Sequence, residues 1–155
     1  MEREDWDRRW RERGFHCEDD PSELLESELA DLEPGRALDL ARAADADVDW
    51  VLADLNGYEP EPGVFDLVLV LYVHVPAAER QTLLARAPSA LAPGGTLLVA
   101  GHDLANLGTG APGPSNPDVL YSPETIVGEL GELDVKRAER VGDEAVDTVV
   151  VARTR

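Results

Sequence analysis

The plainest pattern in the chain is a run of apolar positions at residues 65–73 (FDLVLVLYV), which predicts a strand buried on both faces of a parallel sheet. Pro76 then stands near the start of a helix running to about Leu91, with Pro88 weakening its end. Pro93-Gly94-Gly95 turns the chain into a second apolar strand over residues 96–101. The Gly- and Pro-rich stretch 108–117 (GTGAPGPSNP) predicts an irregular loop. Ser122 is placed to cap a helix that opens at Pro123 and ends near Leu130. Two strands over 133–141 and 145–153 close the chain, joined by a hairpin at Gly142-Asp143-Glu144.

The first third is less regular. Residues 4–13 read as a charged helix with Trp6 and Trp10 on one face. A second helix opens at Pro21-Ser22 and carries Leu24, Leu25, Leu29 and Leu32 as its apolar stripe, until Glu33-Pro34-Gly35 breaks it. Residues 36–40 fit a short strand, yet 36–47 are rich in Ala, Leu and Arg and fit a helix equally. Residues 48–55 (VDWVLADL) predict a strand that stops at Asn56-Gly57. From residue 65 onward the order is strand, helix, strand, helix, strand, strand. That order predicts an α/β fold, mostly parallel, with a C-terminal antiparallel hairpin.

Charge narrows the function. With 32 acidic and 14 basic side chains among 155 residues, the net charge of −18 repels phosphate backbones and anionic lipid, so neither nucleic acid nor a membrane surface is an expected partner. Cys17 is the only cysteine, which excludes an internal disulfide and any CxxC site. The charged first residues offer no signal peptide, and the longest apolar run, 67–73, is too short to span a bilayer. A cytoplasmic single domain follows as the expectation, with helices in 1–34 and a sheet core in 35–155. The three histidines fall in no ligand spacing such as HExxH, so no metal is expected even beside His16-Cys17-Glu18.

Several pieces are similar to one family. Phe65-Asp66-Leu67-Val68 resembles the fourth strand of class I S-adenosylmethionine (SAM) methyltransferases, and Leu91-Ala92-Pro93-Gly94-Gly95 resembles their turn into the fifth. Val51-Leu52-Ala53-Asp54-Leu55 resembles the third strand, and Asp5-Trp6-Asp7 with Arg9-Trp10 resembles the first helix of the tellurite-resistance and thiopurine-methyltransferase-like branch. The resemblance implies a Rossmann-like sheet, SAM as cofactor and a small-molecule methyl acceptor if the protein is active.

One part of the family pattern is missing. The first strand normally ends in a Gly-rich loop where backbone approaches the cofactor. Here Ala37-Leu38-Asp39-Leu40 begins that pattern, but no glycine occurs from Arg36 to Leu55. Only seven residues, 41–47, separate Leu40 from Val48, too few for a parallel crossover. The expectation is a truncated sheet lacking the Gly loop, its helix and the second strand. A non-catalytic scaffold for dimerisation or protein binding is the alternative function, and a homodimer is one way to complete a site.

Ligands in open α/β sheets bind beyond the carboxyl ends of the strands. Asp54 and Leu55, by resemblance, would hold the adenine, and Tyr72 would line the cofactor; an ordinary turn carboxylate and a strand-end aromatic are the alternatives. His74 and His102 are the catalytic candidates, His102 as a general base, against the reading of each as a hydrogen-bonded structural residue.

Overall fold

The computed structural model describes residues 37–39, 53–55, 57–111 and 113–155. All of them belong to the second of two units into which the chain divides, Gly35–Arg155. The helices expected over 4–13 and 21–32, and the expected strand residues 48–52, lie outside the described residues.

Five strands form one sheet among the described residues: β1 (Ala37–Asp39), β2 (Phe65–Leu71), β3 (Leu91–His102), β4 (Asp134–Val141) and β5 (Asp147–Arg153), in the order β1-β2-β3-β5-β4. β1 and β3 run parallel to β2, whereas β5 is antiparallel to both β3 and β4. The sheet is therefore mixed, which corrects the expectation of a mostly parallel one. Two features account for this: β5 inserts between β3 and β4, and residues 53–55 do not join the sheet. Instead the Asp54 carbonyl accepts the amides of Gly57 and Tyr58 at 2.9 and 2.8 Å, a turn where a strand end was expected.

β1 settles the ambiguity at residues 37–39 in favour of a strand. Ala37, Leu38 and Asp39 pair in register with Leu67, Val68 and Leu69. Local helix propensity is weak, a few tenths of a kcal/mol per residue or about that, and pairing with β2 overrides it.

The core explains why β2 reads as continuously apolar. Val68 and Val70 pack with Leu97 and Val99 of β3 against Leu83, Leu84, Ala87 and Ala90 of helix α1 (Ala77–Ala90), and against Tyr121 and Ile126. The alternate residues Leu69, Leu98, Ala100 and Val149 are buried as well, so both faces of the central strands are covered. Helix α2 (Pro123–Glu129) is capped by the Ser122 hydroxyl, which accepts the Thr125 amide at 3.2 Å.

Pro93-Gly94-Gly95 acts inside β3 rather than before it. Phe65 faces Leu91, but Leu67 faces Thr96, so the intervening residues loop out of the ladder. A Cβ on Gly95 would meet the Phe65 carbonyl oxygen at 2.9 Å, so only glycine lets the two backbones approach. The fold brings the carboxyl ends of β2 and β3 and the start of β5 to one edge of the sheet, since His102 pairs with Asp147.

Candidate functional site

β2 ends abruptly. Tyr72 adopts a left-handed backbone with φ of 53°, uncommon for a bulky residue. Its amide still donates to the Ala100 carbonyl at 2.7 Å, so the bend is held by the sheet. The bend leaves Tyr72 41% exposed at the sheet edge, and its hydroxyl donates to Asp147 Oδ2 at 2.7 Å. Burial, then the hydrogen bond to Asp147, push the Tyr72 phenol well above its ordinary value, so it stays protonated.

Two imidazoles lie beside it. His102, at the end of β3, meets Asp147 Oδ1 through Nδ1 at 3.0 Å. His74 stacks on His102 with centroids 5.1 Å apart and planes within 6°, while Tyr72 meets the His102 ring edge-on at 5.2 Å. His74 Nδ1 lies 2.8 Å from the Val119 carbonyl, which can only accept, so that nitrogen carries the proton. Burial holds the His74 pKa below its usual 6.5, with the neighbouring His102 adding to the effect. Asp147 is held below its usual value: burial acts to raise it, but the hydrogen bonds from His102 and Tyr72 outweigh burial.

A buried layer fixes this cluster from beneath. Tyr121 is fully buried, donates its hydroxyl to the Val73 carbonyl at 2.5 Å and lies 5.2 Å from the His74 ring. Gly101 makes room for it, since a Cβ there would sit 2.6 Å from the Tyr121 ring. The Arg80 guanidinium lies 5.5 Å from the centre of the same ring and binds both oxygens of Glu129 at 2.9 Å, joining α1 to α2.

Of the residues singled out in the sequence, the structure brings Tyr72, His74 and His102 together. Asp54 is exposed and Leu55 half-buried in the turn before β2, and the contacts that join the cluster do not include them. Asp147, Tyr121 and Arg80 were not legible as site residues. The available signal for Asp147 was the terminal hairpin, an acidic residue immediately ahead of the apolar run TVVVA. Among the described residues, no group of three or more His, Cys, Asp or Glu side chains could hold a metal ion.

The sequence matches no protein-family model and no curated protein. Its shape does have counterparts. A SAM-dependent methyltransferase from Mesorhizobium loti superposes with a TM-score of 0.55 over 72% of each chain, at 15% identity. The N-methyltransferase NodS from Bradyrhizobium japonicum WM9, solved with S-adenosylhomocysteine (SAH), gives 0.54 over 70% of this chain and 55% of its own, at 19% identity. The fold is that of the SAM-dependent methyltransferases. The [4+2]-cyclase SpnF is similar too, with a TM-score of 0.53 over 68% of this chain and 55% of its own, at 12% identity, so the shared fold does not fix the reaction. The chain spans 64% of the length of the PH0226 protein from Pyrococcus horikoshii OT3 and 55% of NodS. No helix among the described residues is long and apolar enough to cross a membrane.

Proposed function

We propose that the chain binds SAM at the carboxyl edge of β1 and β2 and transfers its methyl group to a small-molecule acceptor seated against Tyr72, His102 and Asp147. The observation that carries this reading is the gathering of a tyrosine, two histidines and a carboxylate at the carboxyl ends of β2 and β3, in a sheet shared with methyltransferases.

The donor set suits the sulfonium end of such a molecule. A partly exposed tyrosine face attracts a cation, and the Asp147 carboxylate is ionised beside it. When bound, SAM supplies a methyl carbon on a positively charged sulfur. The chain contributes placement: Tyr72 is locked by its backbone and by Asp147, and His74 and His102 are locked by stacking, so little ordering is left for the reacting step. Asp54 and Leu55 remain the candidates for the adenine. Membership of the tellurite-resistance and thiopurine-methyltransferase-like branch, and loss of the Gly loop and second strand, are further parts of this proposal. They rest on sequence outside the described residues, apart from β1, which lies beside β2 as the first strand lies beside the fourth in the family.

A non-catalytic scaffold draws on one observation, the lack of any glycine from Arg36 to Leu55. Calorimetric titration with SAM and SAH decides between the two. Saturable binding at about micromolar concentration, weakened about tenfold or more in Tyr72→Ala, supports the enzyme. No binding up to about millimolar ligand overturns it in favour of the scaffold.

A further inference from the structure

We infer that Nε2 of His102 is the proton acceptor of this site, that Asp147 is the positioning residue that aims it, and that the methyl acceptor is a nucleophile arriving with its proton attached, a hydroxyl or a protonated amine. This rests on the reading of the site as a methyltransferase centre.

Four ring nitrogens are available, and the contacts assign three. His74 Nδ1 donates to the Val119 carbonyl, which leaves its Nε2 as an acceptor facing the His102 backbone amide at 3.4 Å. His102 Nδ1 faces the Asp147 carboxylate, which accepts, so the proton sits on Nδ1. The lone pair of His102 therefore lies on Nε2, and no hydrogen bond among the described residues uses it. The His102 side chain is 25% exposed, and the backbone packed nearest its Nε2 belongs to a glycine, Gly113, where a Cβ would come within 3.3 Å of that nitrogen.

Every group facing this imidazole supports the same assignment. From the end of β2 come Tyr72, which stays protonated, and His74, which burial keeps neutral. From β5 comes Asp147, whose two oxygens are taken by Tyr72 and His102, so the carboxylate cannot turn away. From the loop after β3 comes Gly113, which has no side chain; a Cβ there would lie 2.9 Å from His102 Cδ2. One base remains, and its orientation is fixed on three sides.

The step balances as follows. The nucleophile gives its proton to His102 Nε2, its freed lone pair forms the bond to the sulfonium methyl carbon, and the carbon–sulfur electrons leave with sulfur. A carboxylate acceptor, already ionised, would need no such base.

Nitrogen-15 NMR of the full chain labelled at histidine tests this at about pH 8, where an ordinary imidazole is neutral. His102 is expected as the Nδ1–H tautomer, with the tautomer ratio shifted about tenfold toward Nε2–H in Asp147→Asn and largely restored in Asp147→Glu. Diethyl pyrocarbonate, which acylates a free ring nitrogen, is expected to react with His102 about tenfold faster than with His74. An Nε2–H tautomer in the unaltered protein, or a ratio unmoved by Asp147→Asn, overturns the assignment. If SAH still binds in calorimetry, only the proton-acceptor role is lost. If SAH does not bind, the methyltransferase reading and this role fall together.

Discussion

His102 stands directly opposite Asp147 across the antiparallel β3–β5 ladder, and the imidazole Nδ1 reaches that carboxylate at 3.0 Å. Residues forty-five positions apart in sequence thus become one unit because backbone register places them there. Tyr72 uses the second carboxylate oxygen, so the pair is a three-residue network. Such networks respond to deletion more than to conservative change.

Removing the shared carboxylate is expected to cost stability. Asp147→Ala strips acceptors from both Tyr72 and His102, and a half-buried donor left unpaired costs about 1–3 kcal/mol. Urea unfolding should show a midpoint shift of that size. An unchanged midpoint would mean that water replaces the carboxylate without loss.

The Arg80–Glu129 pair makes a sharper prediction. Both side chains are almost wholly buried, at 4% and 6% exposure, and the contact is bidentate. Glu129→Leu alone leaves a buried guanidinium with the Asp118 and Leu120 carbonyls, at 3.4 Å each, and the Tyr121 ring but no counter-charge in place of Glu129, and should destabilise by about 3–5 kcal/mol. The double change Arg80→Met with Glu129→Leu removes both charges and should recover most of that loss. A double-mutant cycle in urea reads the coupling directly.

The contrast between these two networks shows what the sequence could reveal. β2, α1, β3, the Ser122 cap and the terminal hairpin were legible because each rests on a local signal: an apolar run, a proline, a glycine turn or a hydroxyl before a helix. Tyr72, His74 and His102 were legible as candidates because strand ends can be counted along the chain. Asp147 was not, since its role depends on which strand inserts beside β3. Arg80 was hidden for a related reason, since a charged residue on a helix reads as solvent-facing until its partner on another helix is known. The expected strand end at 53–55 does not form, because the Asp54 carbonyl is taken by the amides of Gly57 and Tyr58 in a turn rather than by a neighbouring strand.

His74 gives a pH dependence with a definite sign. Its folded pKa lies below 6.5, chiefly through burial, so the unfolded chain takes up a proton at a higher pH than the folded one. Its contribution to stability is complete above about pH 6.5 and is lost as pH falls through that value toward the lower folded pKa. In His74→Gln the decline in urea midpoint from about pH 7 to pH 5 should be shallower. Equal slopes in the two proteins would show that His74 takes up its proton freely in the folded state.

If the proposed SAM site is filled, the acidity of the chain bears on whether SAM or SAH binds more tightly. SAM carries a sulfonium charge that SAH lacks, and a protein of net charge −18 creates a field that favours the cation. Asp147 adds a local negative charge at the same edge. At about 20 mM salt the preference for SAM over SAH should be about fivefold, an energy of about 1 kcal/mol. At about 1 M salt the Debye length falls to about 3 Å, and the distant part of that field is screened. Calorimetry at the two salt concentrations separates the contributions. A preference that collapses with salt belongs to the general acidity of the surface. A preference that persists belongs to contacts made at the site, with the Tyr72 face and the Asp147 carboxylate as its source, and should then fall in Asp147→Asn at either salt concentration.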